Sequence, residues 1–191
     1  MGTQNCSFDS LSTTQFSHKL RPAAERIYQT CFAGCVVKRL ERQDGEAHLL
    51  DSAFAVDALL MLPDGSFLTL QEKYRTNDML VKWGKDFTQE FRNAVGTENE
   101  SNGEWFKLAA QLYFVGWANV EETGFESWAL LSVLAYKMRV LAVGGLDKLA
   151  KLRQNQKHGR ASFYPIPLES LTPAILADSD GTWRFPWPKT A

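Results

Sequence analysis

The segment from Ala53 to Arg75 constrains this chain more than any other. Two apolar runs, Val56 to Leu62 and Ser66 to Leu70, flank Pro63-Asp64-Gly65. Pro63 suits the first central position of a type I turn, Asp64 the second, and Gly65 the left-handed position that follows. A three-residue loop closed by a glycine bulge pairs Leu62 with Ser66. Counting outward, Met61 faces Phe67, Leu59 faces Thr69, Asp57 faces Gln71 and Ala55 faces Lys73. Side chains alternate along a strand. One face therefore carries Asp57, Gln71, Lys73 and Arg75, with small Ala53 and Ala55 beside them. The other carries Phe54, Val56, Ala58, Leu60, Leu68, Leu70 and Tyr74, interrupted by Glu72. A two- or four-residue loop would instead set Glu72 opposite Asp57.

Charged side chains at the open end of a buried hairpin are costly unless they are paired or bind something. Here an acid ends one strand, and the next offers an amide, any residue and a lysine. Such a set suits phosphodiester hydrolysis: Asp57 and the Gln71 carbonyl are oxygen ligands for Mg²⁺, and Lys73 is a cation for the developing charge. Through Asp57 and Gln71-Glu72-Lys73 the chain resembles the PD-(D/E)XK nuclease superfamily. Val56 stands where the family name has proline, and Gln71 replaces the second carboxylate, a variant the group contains.

The resemblance implies a restriction-endonuclease-like α/β fold and a metal-dependent nuclease, with DNA the expected nucleic acid and internal cleavage the expected mode. It implies that Asp57 and Gln71 hold Mg²⁺ or Mn²⁺ and that Lys73 orients or activates the attacking water. Arg75 would hold a neighbouring phosphate. A first-helix glutamate, Glu25, is the implied third ligand and counts among the catalytic residues, with Asp51 in reserve. The alternative from another class is a catalytically silent nuclease-fold domain that binds nucleic acid or a protein partner. The amide at Gln71 and the net charge of −1 keep that alternative open. Metal binding separates the two.

Composition sets the bounds. At 191 residues with 45% hydrophobic content, the chain can bury one good core and is expected to form a single domain, loose at 1–12 and 178–191. Any nucleic-acid role must rest on local patches, because nothing global is basic. No run reaches the ~18 apolar residues of a membrane span, and the first ten residues lack a secretory pattern. The expected location is cytoplasmic or otherwise intracellular, without membrane contact, with a homodimer or a protein assembly as the alternatives for protein partners. Cys6, Cys31 and Cys35 have neither disulfide-framework nor zinc-site spacing.

Along the chain, Pro22 to Phe32 reads as a helix with proline in its first turn. Cys35–Arg42 and Glu46–Leu50 read as strand segments around Gln43-Asp44-Gly45. Asp78 is expected to cap a helix running through Phe91, 96–103 to form a loop, and 111–117 a buried strand. A long helix is expected over 126–143, apolar nearly all round. Ser162 to Leu168 reads as a short strand pushed to an edge by its prolines. A small mixed sheet with a central antiparallel hairpin, flanked by helices, follows. Basic residues collect later: Lys137, Arg139, Lys148, Lys151, Arg153, Lys157 and Arg160. With Lys82, Lys85 and Arg92 they are candidates for a phosphate track. Trp83 and Trp105 are candidates for base stacking, although core packing is the commoner role at helical spacing.

Overall fold

The computed structural model of the chain describes residues 12–40, 50, 53–155 and 160–185. The expected segment Glu46–Leu50, the turn at Gln43, the reserve ligand Asp51, and Lys157 fall wholly or mainly outside these residues. The described part is mixed α/β, with one mixed sheet, one antiparallel sheet and helices. Helix α1 (Ser12–Cys31) leads into β1 (Val36–Arg39), β2 (Ala58–Met61) and β3 (Phe67–Arg75). Then come α2 (Asn77–Trp83), β4 (Asp86–Asn93), β5 (Ser101–Asn102) and α3 (Glu104–Lys107). Strand β6 (Leu112–Ala118) is followed by β7 (Phe125–Ser132), α4 (Val133–Val143), β8 (Arg153–Gln154), β9 (Ser162–Pro167) and β10 (Ile175–Asp178).

The larger sheet has six strands in the order β1-β2-β3-β6-β7-β10, and the smaller has four in the order β5-β4-β9-β8. Strand β3 runs antiparallel to β2 and parallel to β6. That change of direction puts β3 inside the larger sheet with both faces covered. On one face, Ala24, Tyr28 and Cys31 of α1 pack with Ala58, Leu60, Leu70 and Phe114. On the other, Tyr113, Val115 and Trp117 meet Phe87 and Ile166 of the smaller sheet and Tyr136 of α4. A sheet therefore covers the side where the flanking-helix expectation placed helices alone.

From Leu62 to Ala58 the hairpin register is the expected one, and it breaks at Asp57, which does not come opposite Gln71. Met61 pairs with Phe67, Leu60 with Leu68, Leu59 with Thr69 and Ala58 with Leu70. The Leu62 amide donates to the Ser66 carbonyl at 2.8 Å, and Gly65 has φ +84°. A side chain at that left-handed position would be strained. The Asp64 carboxylate fixes the turn further by accepting from the Ser66 amide at 2.9 Å and its hydroxyl at 2.6 Å.

Elsewhere several expected elements change type. Helix α1 begins at Ser12, so Pro22 lies inside it rather than in its first turn. Burial of Leu20, Ala23, Ala24 and Tyr28 on one stripe outweighs the backbone bond that proline lacks. The helix expected through Phe91 ends at Trp83: Gly84 takes φ +72°, and Phe87 and Phe91 belong to β4. Thr76, not Asp78, occupies its N-cap position. The long helix expected over 126–143 divides into β7 and α4 at Ser132, whose hydroxyl accepts from the Ala135 amide at 3.3 Å. An apolar run buried on all sides carries no period, and a helix cannot be told from a strand within it. Residues 178–185 are not loose. Asp178 ends β10, Trp183 bridges to Ala177, and Trp183 and Phe185 pack on the α1 face.

Candidate active site

Alternate residues of β3 point to different worlds. Glu72 turns toward α1 and is fully engaged. It accepts from the Tyr28 and Tyr74 hydroxyls, each at 2.6 Å, and from the Arg39 guanidinium. Burial pushes both phenols above their ordinary pKa, so they remain donors. Arg39 also reaches Glu25 at 3.3 Å. Glu25 therefore belongs to the Glu72 side of the sheet, not to the Gln71 side where a third metal ligand was expected.

Asp57 stands between the two faces. Its amide donates to the Leu70 carbonyl at 2.8 Å, one residue out of step with the ladder, so Asp57 and Ala58 both oppose Leu70. Its Oδ2 accepts from the Glu72 amide at 2.7 Å. Just upstream, Ala55 has φ +49°, a left-handed conformation costing an alanine roughly 1 kcal/mol. The chain leaves the sheet there, so Ala55 does not come opposite Lys73. Alternation also fails: Ala55 and Val56 both enter the core beside the smaller sheet. Strain two residues before the candidate acid is a frequent mark of a functional position.

Gln71, Lys73 and Arg75 turn toward the smaller sheet. The Lys73 ammonium donates to Glu104 Oε2 at 3.1 Å, to the Thr88 carbonyl at 3.2 Å and to Glu90 Oε1 at 3.5 Å. Burial pulls its pKa down, but the Glu104 and Glu90 carboxylates outweigh burial and leave it above the ordinary lysine value. Tyr113 of β6 lies directly beside Gln71 in the parallel ladder. Burial raises its phenol far above the usual range, and the charges of Glu104, Glu90 and Asp57 add to the rise. These three acids therefore all reach the same hydroxyl electrostatically.

This layer holds unsatisfied polar atoms. Gln71 Oε1 and Arg75 Nε and Nη2 are buried without a hydrogen-bond partner, whereas Glu104 and the Tyr113 hydroxyl engage each other. Each such atom costs about 1–3 kcal/mol. The unpaired Gln71 acceptor beside the Glu104 carboxylate fits a cation, and the unpaired donors of Arg75 fit an anion. Among the described residues no three His, Cys, Asp or Glu side chains converge as a ready-made metal cluster. A metal would thus need the Gln71 amide oxygen. Sequence reasoning missed Glu104, which approaches Lys73 from α3. Its one signal was an acid directly after Gly103, where a side chain would meet the Phe91 and Glu90 backbone at 2.7–2.8 Å.

The basic stretch is not one surface. Lys137 donates to the Leu108 carbonyl at 2.5 Å and Arg139 to the Ser170 carbonyl at 3.2 Å, so both serve the fold. Lys148 lies 3.6 Å from Asp147, and Lys151, Arg153 and Arg160 are exposed. Of the additional cations, Lys85 is held by Asp180 and Arg92 by Asn102. Trp105 packs edge-on to Tyr136 in the core, whereas Trp83 is 48% exposed.

This geometry defines a mixed α/β chain with a polar layer between its sheets. Compared with family models, curated proteins and solved structures, the chain matches none. No helix among the described residues is long and apolar enough to cross a membrane.

Proposed function

We propose that this chain is a metal-dependent nuclease of PD-(D/E)XK type that hydrolyses phosphodiester bonds, with DNA as substrate and internal cleavage as mode. The observation that carries the reading is the polar set around Lys73: an unpaired acceptor at Gln71, unpaired donors at Arg75, and the Glu104 carboxylate at 3.1 Å from the Lys73 ammonium. The hairpin register supports it by placing Gln71 and Lys73 on one face and Glu72 on the other. Helix α2 directly after β3 also agrees with the restriction-endonuclease-like core the resemblance implies.

Asp57, Gln71 and Glu104 are the residues that would hold Mg²⁺ or Mn²⁺. Glu104 takes the place first assigned to Glu25 and supplies the second negative charge that the amide at Gln71 lacks. When bound, the ion supplies Lewis-acid stabilisation of the charge developing on the phosphate. Lys73, with its pKa raised, keeps its proton near neutrality. It therefore acts as a fixed cation that orients water and stabilises the transition state, not as the base. Arg75 presents its two unpaired nitrogens to an adjoining phosphate.

One observation favours the silent-domain reading. Asp57 Oδ2 is already bonded to the Glu72 amide, and Lys73 has three acceptors of its own. Incubating the full chain with supercoiled plasmid and with labelled oligonucleotides, in Mg²⁺, Mn²⁺ or EDTA, tests the proposal. Cleavage that needs the metal and disappears in Asp57→Asn supports the nuclease. Metal binding without cleavage leaves the fold as a binding module, and equal cleavage by Asp57→Asn moves the chemistry elsewhere.

A further inference from the structure

A cavity of about 710 Å³ lies against β4 and β9. Ligand pockets commonly enclose ~300–1,000 Å³. Its walls include Trp83, Asp86, Arg153, Pro165, Pro167 and Thr182. The sequence builds this place economically. Gly84, at φ +72°, ends α2 just after Trp83 and turns the chain so that β4 starts at Asp86. Trp83 and Asp86 thus reach the same cavity from two elements. Pro165 and Pro167 pair with Thr88 and Asp86 on one side of β9, whereas β8 covers β9 only at Ser162 and Phe163. The prolines therefore leave a flat apolar wall without amide donors.

Helix α2 buries none of its residues, so Trp83 is not part of a core. The Arg153 guanidinium lies 5.2 Å from the centre of the Trp83 ring, and the Lys82 ammonium 5.1 Å. Asp86 is held above its ordinary pKa by burial, which the charges of Arg75 and Arg153 only partly oppose. Asp86 and Arg153 both stand in the cavity wall. Of the other acids in the wall, Asp178 and Asp180 have partners and Glu169 is exposed. Lys85 holds both oxygens of Asp180 at 2.6 Å, and Asp178 accepts from the Thr182 amide at 2.8 Å.

From these placements we infer that the cavity takes one nucleoside monophosphate unit of the substrate strand, its base against Trp83 and the proline wall and its phosphate on Arg153. A flat, polar-edged ring suits the cavity better than a bare anion does. A base would take a Trp83 face in place of the Arg153 or Lys82 cation now over that ring, and Asp86 offers a hydrogen-bonding edge for a base or sugar. Successive side chains on one face of β3 are spaced ~6.6 Å apart, so the row Gln71, Lys73, Arg75 points the strand toward the cavity. The inference rests on the nuclease reading for the source of the nucleotide.

The test is equilibrium binding of dTMP, thymidine, inorganic phosphate and a short thymidine oligonucleotide to the full chain, by calorimetry and saturation-transfer NMR. Wild type is expected to bind dTMP and, more tightly, the oligonucleotide. Trp83→Ala should weaken dTMP roughly 5- to 150-fold, the range for loss of one base stack. Arg153→Ala should weaken dTMP while sparing thymidine. Asp57→Asn should bind dTMP as wild type does, which separates the cavity from the cleavage site. Phosphate binding as tightly as dTMP, or wild-type affinity in both cavity variants, would overturn the inference. Equal affinity for dTMP and the oligonucleotide would overturn the strand as source. Cleavage lost in Asp57→Asn with no dTMP binding would leave the nuclease standing and the cavity assignment fallen. Binding of dTMP by a protein that never cleaves would leave the reverse.

Discussion

On the α1 side of β3, Glu72 is closed in by Tyr28, Tyr74 and Arg39, and every oxygen of its carboxylate has a donor, while Arg39 Nε alone among these groups is buried without a partner. On the side of the smaller sheet, Gln71 and Arg75 keep buried polar atoms without a partner. On β3 itself, Glu72 and Tyr74 alternate with Gln71 and Arg75, one residue of register apart. The difference separates structural charge from functional charge. A carboxylate buried to hold a fold comes with its own donors, because an unpaired one would unfold it. Groups meant for a ligand leave valences open and meet the cost elsewhere in the core.

The largest effect expected on this contrast is structural. Glu72→Gln removes the charge facing Arg39, two groups that are 7% and 12% exposed, and should lower stability by about 3–5 kcal/mol in urea unfolding. Cleavage per folded molecule should not change. A loss below about 1 kcal/mol would put the Glu72 side on the same footing as its opposite and remove the contrast.

Lys73→Met should lower cleavage by about 10²- to 10³-fold, the usual effect of deleting a group that stabilises developing charge. It also leaves Glu104 buried without its cation. Adding Glu104→Gln should return most of the stability while cleavage stays lost. Recovery of cleavage along with stability would make Lys73 a structural residue. The pH profile sharpens this. The folded pKa of Lys73 lies above the unfolded one, so the stability from its ion pairs is complete below ~10.4 and fades only as pH rises through the higher folded value. Cleavage should therefore show no lysine-dependent fall between about pH 7 and about pH 9. A falling limb there that Lys73→Arg displaces upward would assign proton transfer to Lys73.

Gln71→Glu should tighten Mg²⁺ binding, by roughly tenfold on the charge-count argument. The same change should lower stability in EDTA, because it buries a charge with no donor. Unchanged metal affinity would remove Gln71 from the ligand set. Glu25→Ala should do least. Its carboxylate is 42% exposed and meets Arg39 at 3.3 Å, which is worth under ~1 kcal/mol, and cleavage should stay at the wild-type rate.

The turn made the hairpin legible. Proline, aspartate and glycine in that order set loop length, loop length set register, and register put Gln71 and Lys73 on one face. What the turn could not carry was the path upstream of Asp57, where a left-handed alanine ends the alternation. Nor could it show which side α1 covers, so Glu25 was aimed at the wrong face. Glu104 was out of reach for another reason: it lies 31 residues beyond Lys73 and meets it only through packing of α3 on β4. Expecting helix across 126–143 failed because a strand and a helix buried on all sides look alike until Ser132 marks their joint. The fully buried β6, by contrast, was legible from its aromatic and branched run.

The most direct test of the account is a divalent-metal titration of the full chain, with cleavage of end-labelled duplex DNA read at each point. The account predicts cleavage that rises with Mg²⁺ or Mn²⁺, stops in EDTA, and is lost in Asp57→Asn and Lys73→Met while Glu25→Ala keeps it. Metal-dependent cleavage that survives both Asp57→Asn and Lys73→Met, or that falls only in Glu25→Ala, would contradict it.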